Sequence, residues 1–162
     1  MLEKRNFYIN GKWVSPSKPN DFEVINPSNE DPFAIISLGF KEDTDAAVDA
    51  AKNAFETWRE TSKEKRLSLL EKFDQIYNRR WDEMVKAQST EMGAPLDYAS
   101  ETHTKMGADI SKNTIKILKD FNFEHQFDPK SNNHIRYEPI GVCGLITPWN
   151  FPMNQIVLKV IP

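Results

Sequence analysis

The chain has 162 residues, 28% of them charged, with a formal net charge of -3 at pH 7 and a pI near 5.7. That balance gives no general attraction for nucleic acid or for an anionic membrane surface, and the basic residues cluster only at Lys63-Glu64-Lys65-Arg66 and Asn78-Arg79-Arg80. A single cysteine, Cys143, excludes an internal disulfide and a cysteine-based zinc cluster.

The length is that of one domain. Leu, Ile, Val and Phe contribute 39 of the 162 residues, about 24%, above the roughly 20% below which chains tend to stay disordered. The mean hydropathy of -0.61 is nonetheless hydrophilic for a self-contained enzyme core. A foldable but surface-rich segment is expected. No signal-length apolar stretch follows Met1-Leu2-Glu3-Lys4-Arg5-Asn6, and no run approaches the ~18 apolar residues of a membrane span. The expectation is a soluble cytoplasmic protein.

In chain order, Phe7 to Val14 reads as a hairpin, because Asn10-Gly11 supplies the positive φ values of a type I′ turn between β-rich flanks. A second extended pair is predicted at Phe22 to Ile25 and Phe33 to Leu38, joined through Asn26-Pro27-Ser28-Asn29. From Asp43 the period changes from two to about 3.6. Ala47, Ala51, Ala54, Phe55 and Trp58 share a helix face, with Asp43 or Thr44 as its cap. Ser62 is a second N-cap, ahead of the stripe Leu69, Leu70, Phe73, Ile76, Tyr77 and Trp81. A third helix runs to about Met92, with Gly93 as C′. A fourth places Ala99, Met106, Ile110, Thr114, Ile117 and Phe121 on one side.

Phe121 to Pro139 then suggests two strands around a loop at Asp128 to Asn133. Gly141-Val142-Cys143-Gly144-Leu145-Ile146 suggests a short buried strand, and a helix opens near Phe151. Gly141 and Gly144 make no dinucleotide fingerprint, and tight strand packing is the better account of them. Cys143 has no His or basic neighbour in sequence to activate it and is expected to be a buried thiol. His103, His125 and His134 lack metal-ligand spacing, so surface or core roles are expected for them.

The chemistry concentrates at Thr147-Pro148-Trp149-Asn150-Phe151-Pro152. Each proline fixes its own φ and pushes its predecessor out of the helical region, so Trp149-Asn150 sit between stiff joints. An amide held in that way can present an N–H to a fixed point, as an oxyanion site requires. The same residue would serve equally as a cap for the following helix, and spacing alone does not separate the two.

From Glu138 to Pro152, through Gly141-Val142-Cys143-Gly144 and Pro148-Trp149-Asn150-Phe151-Pro152, the chain closely resembles the NAD(P)-dependent aldehyde dehydrogenase superfamily. Phe7 to Val14, Val24 to Ser28, Asp45 to Trp58 and Thr90 to Leu96 match further landmarks in family order. The resemblance implies an α/β fold: the N-terminal part of the aldehyde dehydrogenase fold, a partial Rossmann-like NAD(P)-binding domain with a helical block and bridging β-strands. Residues 1–120 would be the first part of that domain, 121–139 the bridging strands that pair subunits, and 140–162 a return to the domain. Asn150 matches the oxyanion donor. Ile146, Thr147, Pro148 and Trp149 match the segment lining the cleft for NAD or NADP. The implied chemistry is oxidation of an aldehyde to a carboxylic acid through a cysteine thiohemiacetal and thioester in a homo-oligomer, with no nucleic-acid or membrane partner.

The family's cofactor-contacting lysine, glutamate base and cysteine nucleophile correspond to positions after Pro162, so the 162 residues alone are expected to be inactive, with the catalytic domain absent. Two other readings stand beside this one: a noncatalytic module that joins full-length homologues, and a helical interaction protein descended from the enzyme. The resemblance puts part of the substrate tunnel around residues 105–121. Ala94, where many relatives carry Lys, marks a departure from the pattern.

Overall fold

The computed structural model describes residues 1–162. Its first strand, β1 (Leu2–Lys4), has no alternation in the sequence to announce it. β2 (Phe7–Ile9) and β3 (Lys12–Val14) form the expected antiparallel hairpin, and Asn10 and Gly11 take φ values of 51° and 73°, as a type I′ turn demands. β4 (Asp21–Ile25) pairs antiparallel with β5 (Pro32–Ser37), which pairs parallel with β1 on its other side, giving the order β1-β5-β4. Between them Asn26 Oδ1 accepts the Ser28 N–H at 2.9 Å, an Asx turn.

α1 (Lys41–Trp58) begins before its expected cap. Phe40 occupies the N-cap position, and Asp43, three residues on, accepts the Phe40 N–H at 2.8 Å and the Ser17 N–H at 2.7 Å. The Phe40 N–H bond is the largest cause holding the Asp43 carboxyl below its usual range. α2 (Lys63–Arg79) is capped as expected, with Ser62 Oγ accepting the Lys65 N–H at 3.2 Å. α3 (Trp81–Met92) ends as expected at Gly93, whose φ of 72° closes the helix through an N–H to Ser89 O. α4 (Leu96–Tyr98) passes through a π-helical segment, Ala99–Thr104, into α5 (Lys105–Asp120). Lys63 Nζ donates to Lys119 O at 2.7 Å and Phe121 O at 3.0 Å, satisfying carbonyls that α5 leaves free at its end. β6 (Glu124–Gln126) and β7 (His134–Arg136) form an antiparallel hairpin, and α6 (Pro152–Val160) is the last element.

The core lies where α2, α5 and α6 meet. Tyr77, Ala108 and Val157 are buried there, with Phe73, Trp81, Met84, Ile110, Met153 and Ile161 packed around them. Gly107 permits this approach: a Cβ built on it would lie 2.2 Å from Tyr77 Oη. Only 12 of 162 residues are buried, so the core is thin. The accessible surface is 11831 Å², whereas a compact protein of 18.7 kDa exposes about 8,300 Å².

The strand expected at Gly141–Ile146 does not form. No backbone–backbone hydrogen bond involves residues 138–150, and a β-run with no ladder to join cannot satisfy its peptide groups by burial. Ile140 is accordingly 94% exposed and Ile146 88%. Cys143, expected to be buried, is exposed for the same reason. Strand packing does not account for Gly141 or Gly144 either, since an added Cβ at either would meet open space; Gly141 instead has a φ of 119° that favours glycine.

Candidate functional site

The helix α6 fixes the end of the proline-flanked turn. Pro152 sits in its first turn, where a missing N–H costs nothing, and Phe151 is the N-cap with φ -144° and ψ 68°. The Phe151 carbonyl accepts the Gln155 N–H at 2.9 Å, so Phe151 is bound into the helix start. No side chain caps α6, which removes the capping role from Asn150. Asn150 is exposed, and its amide makes no hydrogen bond within the chain. Its donors are therefore free of any partner within the chain.

Ile146, Thr147, Pro148 and Trp149 form one exposed run leading into Asn150, with Trp149 85% exposed. Their donors are one hydroxyl, the indole N–H and unpaired backbone amides, beside an aliphatic side chain. Such a surface offers backbone and apolar contact to a bound dinucleotide, and it has no cation for phosphates. The residues around 105–121 contribute Ile110, Asn113, Thr114, Ile117, Leu118 and Phe121 to an apolar groove between α2, α5 and the end of α6.

Behind the turn lies a feature that sequence reasoning missed. Lys105 N–H reaches back five residues to Ser100 O, the bond that defines the π-helical turn. The turn is held by two neighbouring helices: Tyr77 OH donates to Thr104 O at 2.9 Å, Gln88 Nε2 to Thr104 Oγ1 at 2.8 Å, and Trp81 Nε1 to Ser100 Oγ at 2.9 Å. His103 projects from it and is 3% exposed. Its ring stacks on Phe151 with centroids 4.5 Å apart and planes at 19°, while Tyr98 meets it edge-on at 5.1 Å. Burial pushes the His103 imidazole below its ordinary pKa and the Tyr77 phenol up to about 12. His103 Nδ1 has no hydrogen-bond partner. No sequence signal separated His103 from a packing histidine, because its partner Phe151 is 48 residues away.

No helix is long and apolar enough to cross a membrane. A model of the aldehyde dehydrogenase family matches residues 13–162. Over its whole length the chain is 44% identical to 34% of a 3-succinoylsemialdehyde-pyridine dehydrogenase from a Pseudomonas species. A crystal structure of an aldehyde dehydrogenase from Bartonella henselae superposes on 99% of the chain with a TM-score of 0.97 and 49% identity, using 34% of its own length. An aldehyde dehydrogenase C mutant of Pseudomonas syringae, solved with NAD+ and octanal, does so over 97% of the chain with a TM-score of 0.93 and 36% identity, using 32% of its own. The chain thus spans about a third of the length of the relatives it matches.

Proposed function

The chain belongs to the aldehyde dehydrogenase family, and on that premise we propose that it forms the N-terminal part of an NAD(P)-dependent enzyme oxidising an aldehyde to a carboxylic acid. The observation that carries this is Asn150: exposed, uncapped, and fixed at the mouth of α6 by Phe151 and Pro152. As a thiolate adds to the aldehyde carbon, the carbonyl π electrons move onto oxygen, and Asn150 Nδ2–H donates to that oxygen. A neutral amide suits the task, because it needs no protonation and does not repel the growing charge. Ile146, Thr147, Pro148 and Trp149 line the cleft for NAD or NADP by backbone and apolar contact. When bound, that cofactor supplies the hydride acceptor.

The nucleophile and the base that activates water come from residues outside these 162, so this chain alone does not turn over. The surface supports the assignment. About 3,500 Å² beyond that of a compact protein of this mass is the scale of an obligate interface, on a chain with 11831 Å² exposed. Residues 1–120 and 140–162 belong in this reading to the cofactor-binding domain, and 121–139 join subunits of a cytoplasmic homo-oligomer.

The test is a chimera in which this chain replaces the matching third of the Bartonella henselae enzyme. The expected results are aldehyde-dependent NAD(P)H production by the chimera, none by the chain alone, and a loss of about 10² in kcat for Asn150→Ala. Wild-type kcat in the Asn150→Ala chimera would refute the assignment, as would activity that tracks the purified 162-residue peak. One observation favours a second reading, a noncatalytic module joining full-length homologues: the hairpin β6–β7 has only two strands, so both outer edges are unpaired. Co-purification of the chain with an intact relative, abolished by deleting residues 121–139, would decide for it.

A further inference from the structure

Asn150 is supported from one side only, and the support leads to a residue outside the turn. The ring of Phe151 lies face to face with His103 at 4.5 Å and 19°. His103 is locked in turn by Tyr98 edge-on and by a π-helical segment that three hydrogen bonds from α2 and α3 hold in place. A π-turn is a poorer helix than an α-turn and persists only where surrounding groups over-determine it. Here Tyr77, Trp81 and Gln88 supply that constraint, and it carries the 97% buried imidazole against the residue next to Asn150. The widened turn also lets Tyr98 and His103, five residues apart, touch.

We propose that His103 is a positioning residue for the oxyanion donor: its flat face, aimed by the π-turn, fixes the Phe151 ring and through it the orientation of Asn150. The inference rests on the donor role proposed for Asn150, but the mechanical part stands apart from it. A ring clamped on its face restricts χ1 and χ2 of Phe151. With α6 holding the Phe151 backbone, the peptide joining Asn150 to Phe151 then has one orientation. Donors that bind a transition-state oxygen tolerate little displacement, and a misplacement near 1 Å costs about 10²-fold. His103 is 3% exposed and reaches the turn only through the Phe151 ring. The orphaned Nδ1 fits this role, since stacking requires the ring plane and not its nitrogens.

The 162-residue chain itself provides the first test, by 15N relaxation at the backbone amides of Asn150 and Phe151. His103→Leu keeps bulk and removes the flat face, and order parameters there should fall from about 0.85 to below about 0.6. His103→Phe restores the face and should restore the order. If His103→Leu disturbs the fold by circular dichroism, Phe151→Leu breaks the same stack from the partly exposed side and should mobilise the Asn150 and Phe151 amides equally. Unchanged order in either folded variant overturns the proposal. In the chimera, His103→Leu should lower kcat by about tenfold or more while KM stays within about twofold, and His103→Phe should recover it. A kcat unmoved by His103→Leu but lowered by Asn150→Ala refutes the positioning role and leaves the donor. A kcat unmoved by Asn150→Ala refutes the donor, and the order parameters alone then decide whether His103 holds the turn.

Discussion

Gly107 is the position where one added carbon should cost most. Replacing it with Ala places Cβ 2.2 Å from Tyr77 Oη and 2.9 Å from Cζ, closer than real contacts allow, so the phenol must move. Tyr77 is 3% exposed and part of the three-residue core, and it has no free space to enter. Overpacking of this kind costs about 1–3 kcal/mol. The displaced hydroxyl also abandons Thr104 O, leaving a buried phenolic donor unmet for about 1–3 kcal/mol more. Against this stands about 1 kcal/mol gained by Ala over Gly within α5. The net loss is about 3 kcal/mol, or about 6–12 °C in Tm for a chain of this size. Urea and thermal melts of Gly107→Ala measure it. Tyr77→Phe removes the closest clashing atom, so the double variant should be more stable than the sum of the single losses by about 1 kcal/mol. A Gly107→Ala chain as stable as the parent would refute the argument, because the packing cost would then be no larger than the roughly 1 kcal/mol gained in helix propensity.

Two pH effects arise from the same core. Tyr77, pushed up to about 12, resists ionisation in the folded chain. Its contribution is therefore complete below pH 10 and lost as pH rises from about 10 to 12, at most about 3 kcal/mol in all; the urea midpoint should fall over that window in the parent and less in Tyr77→Phe. His103 has the opposite sense: burial lowers its folded pKa, so its contribution is present above about pH 6.5 and declines as pH falls through the folded value. His103→Phe should flatten the acid limb of a stability–pH profile, and an identical limb in both proteins would count against a buried neutral imidazole. The excess surface predicts concentration-dependent self-association of the isolated chain, visible by sedimentation; a monodisperse monomer at high concentration would contradict it.

What the sequence revealed was local. Asn10-Gly11, Ser62 and Gly93 each carry their own reason for a turn, a cap or a stop, and each appears where spacing put it. Asp43 slipped to the third helical position because its strongest partners, the Phe40 and Ser17 amides, include one 26 residues away. The π-turn could not be read at all. Its i to i-5 bond has no residue signature, and it depends on Tyr77, Trp81 and Gln88 from other helices. The strand at Gly141–Ile146 failed for a related reason: apolar β-rich composition specifies a strand only when a ladder is there to receive it, and none of these 162 residues provides one.

That failure bears on the site as much as on the fold. The helices meet around Tyr77, Ala108 and Val157, whereas Ile140, Ile146 and Trp149 are 94%, 88% and 85% exposed. Backbone without partners over residues 138–150 leaves Asn150 ordered from its C-terminal side alone. Phe151, α6 and the His103 stack hold one end of the peptide; Gly141 to Trp149 make no backbone–backbone hydrogen bond. An oxyanion donor anchored at a single end keeps its identity but not its precision, since catalysis needs the N–H fixed to within a fraction of an ångström. A complementary chain that pairs with residues 140–146 should therefore change order at Ile146 to Trp149 far more than at Phe151. Equal ordering at both ends would show that the His103 stack contributes little of the restraint.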